Sequence, residues 1–343
     1  MELDVQRRTL TLKAPFEAAH GAVRERELLV VRLTGEDGVS GYGEAAPLES
    51  YDGVSAARAL GALERYADVL GDAEAMNGAQ MLEACREAED LPQALAAIDL
   101  ALWDRAGRRA QRPVAALLSD DAAARVPVNA TVSALDRAGA ARQATAATLA
   151  GYTCVKLKVG VGDDAGRVAA VRAAAGPRVA LRLDANGAWD VEQAVAAIES
   201  LSPVGLELVE EPTRGLHATR EVRERVAVRV AIDETASEHG ALTAGVADAI
   251  CLKVSSCGGI AGLLAAAALV RSTGAEVYVS STLDGPLGVA AALHAAAALA
   301  SRGSLPHCGL ATLGLFEGIA DPLEPREGMI ALPTGPGLGV EPF

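Results

Sequence analysis

The first forty-five residues read as extended chain. Glu27-Leu28-Leu29-Val30-Val31-Arg32-Leu33 is an apolar run, Gly35-Glu36-Asp37-Gly38 is a turn signal, and Val39-Ser40-Gly41-Tyr42-Gly43-Glu44 resumes the strand, so an antiparallel hairpin is expected. From about 53 to 118 the spacing becomes helical, most clearly from Leu91 to Asp104, and Trp103 is expected to pack rather than to bind. After about 125 short β-branched runs appear at 126–131, 154–159, 179–184, 205–209, 228–232, 249–253, 276–280 and 305–308, each separated from the next by an Ala-rich stretch of helical length. Eight strand–helix alternations predict a closed parallel barrel. The helical stretches 164–175 and 192–201 carry Arg and Glu on the face opposite their apolar one. A doubly wound open sheet is the alternative, but no GxGxxG follows the first strand. The tail from about 321, with Pro333-Thr334-Gly335-Pro336-Gly337, is expected to run back over the surface to the first segment. The chain therefore divides into an α+β segment, 1–120, joined by the tail at about 321–343, and a barrel, 121–320. No repeat of 20–50 residues accompanies this alternation.

Composition narrows the classes. Hydrophobic residues make up 50% and charged residues 22%, a balance that supports a packed core. Ten aromatics leave that core to Ala, Val and Leu. A net charge of −14 without a basic stripe argues against nucleic acid. The N-terminus has no apolar signal core, and apolar stretches are broken by charges before membrane-spanning length, so a soluble cytoplasmic protein is expected. Five cysteines without a CxxC pair suggest neither a zinc ribbon nor a disulfide framework.

The 31 basic residues divide into 27 arginines and four lysines, Lys13, Lys156, Lys158 and Lys253. A guanidinium stays protonated whereas a buried ammonium can lose its proton, so lysines retained in such a chain can mark places where a proton moves. Lys156 and Lys158 end the second barrel strand and, two apart, share its inner face. Lys253 closes the sixth. Between them Asp184, Glu210 and Asp233 end strands three, four and five, and neighbouring strands of a closed barrel bring them together. Three carboxylates in one dry pocket either rise in pKa or are held by a cation, and an oxygen-only set suits Mg²⁺. A lysine beside a divalent ion and a second lysine is expected to have a lowered pKa and to act as a base. Buried salt bridges that merely fix the barrel are the alternative for any one pair. For six charges at five strand ends, so many buried charges would require a metal in any case.

In order and spacing, Lys156-Leu157-Lys158, Asp184-Ala185-Asn186-Gly187, Val209-Glu210-Glu211-Pro212, Asp233-Glu234-Thr235, Lys253 with Gly258-Gly259, and Gly41-Tyr42-Gly43-Glu44-Ala45-Ala46-Pro47 resemble the enolase superfamily and its muconate-lactonising-enzyme subgroup. The resemblance implies an α/β fold, a modified TIM-type (β/α)7–8 barrel with an N-terminal α+β capping domain. It implies an enzyme that removes the proton α to a substrate carboxylate and stabilises the enediolate with one Mg²⁺ per site. A Lys base working beside Mg²⁺ is that superfamily's general chemistry, and it comes to this chain through the resemblance. Asp184, Glu210 and Asp233 would be the metal ligands, Lys158 the base, Lys253 its counterpart, Lys156 a neighbour lowering the Lys158 pKa, and Asn186 a supporting group.

Dipeptide epimerases of the subgroup carry an Asp-x-Asp after the eighth strand, where this chain has His307-Cys308-Gly309-Leu310-Ala311-Thr312. Muconate cycloisomerases tend to have Glu where it has Gly309. The Cys-Gly-Leu-x-Thr stretch and Val126-Pro127-Val128-Asn129-Ala130-Thr131 are more similar to o-succinylbenzoate synthases, whose reaction is a syn elimination of water. Dehydration is thus the leading expectation, with epimerisation of a dipeptide or cycloisomerisation as alternatives. His20, Arg24, Tyr51, Asp284, Cys308 and Gly309 are candidate substrate contacts, with surface, capping or packing roles as the alternatives. A Schiff-base aldolase and a metal-binding barrel without turnover are the rival classes. The expected partner is a small carboxylate, and a homo-oligomer is expected.

Overall fold

The computed structural model describes residues 1–18, 21–73, 76–301, 303 and 305–342. It opens with an antiparallel sheet of β1 (Glu2–Ala18), β2 (Gly21–Thr34) and β3 (Ser40–Ala45), in that order. The turn at 35–38 closes β2 onto β3, with Gly38 N donating to Gly35 O and Gly35 N to Val39 O. Helices α1 (Glu49–Asp52), α2 (Ala56–Gly71), α3 (Gly78–Ala88), α4 (Pro92–Ala110) and α5 (Val114–Leu118) follow. A Cβ on Gly43 would stand 2.0 Å from Ala97 O and one on Gly41 2.1 Å from Ala101 O, so glycine is what lets α4 lie directly on β3. Leu29, Val31 and Leu33 meet Leu63, Tyr66, Leu95 and Ile98 in a core of their own. Trp103 is half-buried against the neighbouring core.

The barrel contains β4 (Arg125–Pro127), β5 (Ala130–Val132), α6 (Arg137–Leu149), β6 (Cys154–Lys158), α7 (Asp164–Ala175), β7 (Ala180–Asp184), α8 (Val191–Leu201), β8 (Leu208–Glu210), α9 (Leu216–Arg225), β9 (Val230–Ile232), β10 (Ala249–Leu252), α10 (Ile260–Ser272), β11 (Glu276–Val279) and α11 (Pro286–Ala300). Strands β5 to β11 form one parallel sheet in sequence order. The sheet curls until its edges meet across residues 308 and 309, which bridge to Val128 on one side and Ser280 on the other. Asn129 N to Cys308 O at 3.0 Å and Gly309 N to Val279 O at 2.9 Å close the ring. Inside it, Leu208, Ala231, Ala249, Cys251 and Tyr278 fill the centre.

Four features depart from the pattern read in the sequence. The expected first strand, 126–131, is two: β4 pairs antiparallel with β12 (Met329–Ala331) of the tail, and only β5 joins the barrel. Pro127, with no N–H to give a ladder, marks the change of partner. The expected eighth strand shrinks to the two bridges. Between β9 and β10 there is no α-helix, only 3₁₀ turns at 234–237 and 241–243, because Gly240 and Gly245 take left-handed φ of 79° and 62° and break that stretch. The tail does return toward α4, with Leu338 N donating to Asp104 Oδ1 at 2.7 Å, but it inserts rather than lying on the surface: Leu338 is fully buried. Helix α11 is buried along almost its whole length, as its uniformly apolar sequence requires. Its His294 accepts from Ala115 N and donates to Leu338 O, fixing α5 and the tail to it.

The sheet β1-β2-β3 meets the barrel through a buried charge cluster. Glu44 Oε1 accepts from Gly285 N at 2.6 Å, at the start of α11. Arg26 donates to the carbonyls of Ala46, Pro47 and Leu283, and Asp284 accepts from Thr282 N. Glu44 Oε2 and Asp284 Oδ2 have no partner. Burial and then the Asp284 charge push Glu44 up to about 8, and burial pushes Asp284 up to about 6. No helix among the described residues is long and apolar enough to cross a membrane.

Candidate active site

The C-terminal ends of the barrel strands open into a cavity of about 670 Å³, partly open to solvent and covered by Phe16, Val23, Leu48 and Tyr51 from the N-terminal segment. Strand alternation delivers the charged groups to it. Cys154, Lys156 and Lys158 share the inner face of β6. Register then sets Lys158 beside Asp184 on β7 and Asp184 beside Glu210 on β8. Lys156 Nζ bridges Asp184 Oδ2 at 2.8 Å and Glu210 Oε1 at 2.7 Å. Lys158 Nζ donates to Asp184 Oδ2 and Asn186 Oδ1, both at 2.7 Å. Lys253, directly after β10, donates to Asp233 and, at 2.7 Å, to Tyr51 O–H, whose own proton goes to Asp233 Oδ1 at 2.9 Å. The three lysines and three acids of the sequence pattern therefore stand together, all buried.

Electrostatics follows from that crowding. Burial alone would depress the Lys156 and Lys253 ammonium groups, but the carboxylates of Asp184 and Glu210 on the first, and of Asp233 on the second, raise both instead. The nearest charges to both amines are anions, and these outweigh burial. Burial would raise Asp184, but Lys156 and Lys158 outweigh it and hold it far below the usual carboxylate range. Glu210 is pushed up to about 7, by burial first and the Asp184 charge second.

Of the groups that support these six, Asn186 was expected, whereas Tyr278 and Glu211 carried no readable signal. Tyr278 O–H, rising from β11, donates to Glu210 Oε2 at 2.7 Å, and its ring carries the Arg182 guanidinium at 5.1 Å. Glu211 takes a left-handed φ of 43° and turns its carboxylate to accept from Asp233 N, Thr235 N and the Thr235 hydroxyl. Asn186, at φ 46°, links Lys158 to Glu234 through its amide. Such conformations are costly away from glycine and persist where surrounding contacts enforce them. Cys251 Sγ lies within 4.8 Å of the carboxylates of Glu210 and Asp233, which likewise lie within 4.8 Å of each other.

The donor set fits a hard divalent ion. Glu210 and Asp233 converge, and Asp184, outside that pair, stands across Lys156 from Glu210. Oxygen ligands of this kind suit Mg²⁺. Cys251 does not belong to the set, because burial and then the Asp233 charge push its thiol well up, and a neutral sulfur is a poor ligand for a hard ion.

Of the weaker candidates, Tyr51 and Gly309 line the cavity. A Cβ on Gly309 would stand 2.3 Å from Ser280 Oγ, so a side chain there would displace that hydroxyl. Arg24 is exposed, because alternation along β2 turns its neighbour Val23 to the cavity. Asp284 is buried behind the cavity in the Arg26–Glu44 cluster and makes no capping bond to α11; the N–H of Gly285, just before that helix, is taken by Glu44. Cys308 is buried with its Sγ toward Pro306 O, and burial pushes its thiol up to about 12. His20 lies outside the described residues.

Comparison with known proteins agrees with this arrangement. A family model described as the mandelate racemase / muconate lactonizing enzyme N-terminal domain matches residues 1–119, and one described as enolase C-terminal domain-like matches 139–343. The hydrophobic dipeptide epimerase of Enterococcus faecalis is 30% identical over 358 aligned positions, covering 99% of this chain and 98% of that one. The o-succinylbenzoate synthase of Thermobifida fusca is 41% identical over 217 positions, covering 60% of this chain and 66% of the synthase. The crystal structure of the dipeptide epimerase of Enterococcus faecalis V583, complexed with Mg and the dipeptide L-Leu-L-Tyr, has a TM-score of 0.88 and 29% identity, covering 98% of each chain.

Proposed function

The chain belongs to the mandelate racemase / muconate lactonizing enzyme family of the enolase superfamily, and from that premise we propose that it removes the proton α to a substrate carboxylate and eliminates water, as an o-succinylbenzoate synthase does. The family's members among its relatives are lyases and epimerases, so the chain is an enzyme of one of these two kinds. One observation carries the reading: a single cavity receives lysines from β6 and from the end of β10, with three carboxylates on the strands between them.

Asp184, Glu210 and Asp233 would hold one Mg²⁺, which when bound supplies positive charge to the oxygens of a substrate carboxylate. Lys158 Nζ, on the β6 side, takes the α-proton. Asn186 and Asp184 hold that amine in place through the two 2.7 Å contacts. In the elimination the same amine passes its proton to the departing hydroxyl, so that water leaves and the carbon–carbon double bond forms. Lys253, across the cavity and held by Tyr51, keeps a positive charge against the developing anion. The covering side chains Phe16, Val23 and Leu48 exclude water from the reacting carbon.

Epimerisation of a dipeptide is the second reading, favoured by the match over 99% of the chain. Against it stands the wall formed by β11, residues 309–312 and β5, where the described lining residues include no carboxylate to meet a substrate ammonium. Offering succinylhydroxycyclohexadiene carboxylate and a dipeptide library with Mg²⁺ in D₂O, and following α-proton exchange by NMR, separates the two. Dehydration of the first is the expected result. Exchange confined to dipeptides would replace this reading with the second, and no exchange with either class would refute both.

A further inference from the structure

The cavity has two unlike halves. Around the ring, Asp184 at the end of β7 and Asp233 just after β9 line the cavity, with Glu210 of β8 buried between their strands against Lys156, whereas β11, residues 309–312 and the β5 side contribute Ser280, Ser281, Thr312, Thr131 and Asn129. Lys158 and Lys253 stand at the two boundaries. Three hydroxyls of the neutral half have partners within the protein: Ser280 donates to Gly309 O at 3.3 Å, and Ser281 and Thr312 bond each other at 3.0 Å. Asn129 differs. It is 3% exposed and lines the cavity, its backbone is fixed by donation to Cys308 O, and its amide Nδ2 has no partner. Buried amide donors are almost always paired, and an orphan at a cavity wall is a donor awaiting an acceptor.

We propose that Asn129 binds substrate, its Nδ2 donating to a carbonyl or carboxylate oxygen on the arm remote from the reacting carbon. The inference rests on the reading of the site as one that abstracts a proton beside a metal-held carboxylate, which places the rest of the substrate against the opposite, neutral wall. A donor there, with a lysine at each edge, attracts an oxygen acceptor and disfavours an ammonium. Specificity then comes from a polar group that is satisfied only by the right partner, a stronger discriminator than shape alone.

The test is calorimetric and needs no turnover. With Mg²⁺ present, 2-succinylbenzoate, which carries acceptors on its arm, is titrated beside 2-butylbenzoate, which has none. Wild type is expected to prefer the first. Asn129→Ala should weaken it roughly 10- to 100-fold and leave the second within about threefold. Asn129→Asp, of the same shape but without the donor, should lose at least as much, and circular dichroism establishes that both variants fold. Equal loss for both ligands indicates a merely structural residue and overturns the proposal, as do an unchanged preference, full retention by the Asp variant, or no binding of either ligand. If wild type shows the arm preference, and Asn129→Ala loses it, yet no dehydration is found, the proposed reaction fails while the Asn129 assignment stands.

Discussion

Glu44→Gln is a perturbation whose size can be worked from the structure. The carboxyl is fully buried, one oxygen accepts from Gly285 N, the other has no partner, and the nearby Arg26 spends its donors on three carbonyls. Burial and the Asp284 charge raise its pKa from 4.5 to about 8. The folded protein therefore keeps a proton that the unfolded chain releases above pH 4.5. The stability this contributes is fully present below the unfolded value, falls by about 1.4 kcal/mol per pH unit between the two, and is gone above the folded one, a total on the order of 5 kcal/mol. Asp284, raised from 3.8 to about 6, adds in the same sense over a lower window. Glutamine keeps the acceptor for Gly285 and cannot ionise, so as pH rises from about 6 to about 8 the variant should lose less stability than wild type by about 1.4 kcal/mol per pH unit, the loss common to both coming from the buried Asp99, Glu210 and Glu211, which are raised as well. Urea unfolding at a series of pH values reads this directly as a change in midpoint. Parallel pH profiles for the two proteins would refute the reasoning, because they would mean that the Glu44 proton is not held by the fold.

Three further outcomes are expected. Lys158→Arg should abolish turnover while preserving the fold and Mg²⁺ binding, because guanidinium cannot give up its proton; near-normal turnover would show that another group is the base. Tyr278→Phe removes only the hydroxyl that holds Glu210 Oε2 and should weaken Mg²⁺ binding roughly tenfold, measured by titration calorimetry, and unchanged affinity would assign the tyrosine to packing alone. Gly43→Ala would place a Cβ 2.0 Å from Ala97 O and should cost about 2–4 kcal/mol in urea unfolding; a cost below about 0.5 kcal/mol would mean that α4 moves away freely.

The charged centre was legible because a parallel barrel turns a one-dimensional pattern into a ring: residues ending successive strands must meet, so Lys156, Lys158, Asp184, Glu210, Asp233 and Lys253 could be placed from spacing alone. What escaped depended on contacts between distant parts of the chain. Tyr278 lies mid-strand among packing residues, and only the three-dimensional register brings its hydroxyl under Glu210. Glu44 reads as the last residue of a hairpin strand until the start of α11 is laid against it. Asn129 is conspicuous solely because nothing satisfies it. The missing helix after β9 misled for a related reason, since a stretch of sufficient length and alanine content still fails as a helix when two glycines take left-handed turns within it.

The placement of the lysines also makes the protein selective toward amine chemistry. Lys13 is exposed on β1, donating to Gly314 O, whereas Lys156, Lys158 and Lys253 all border one buried cavity. A bulky acylating reagent therefore meets Lys13 alone among the four lysines, and the carboxylates that keep Lys156 and Lys253 protonated hold back their acylation even by a reagent small enough to enter. Mass spectrometry after brief labelling would thus find one lysine labelled, a single handle on the outer surface that leaves the cavity untouched, with no need for an engineered tag.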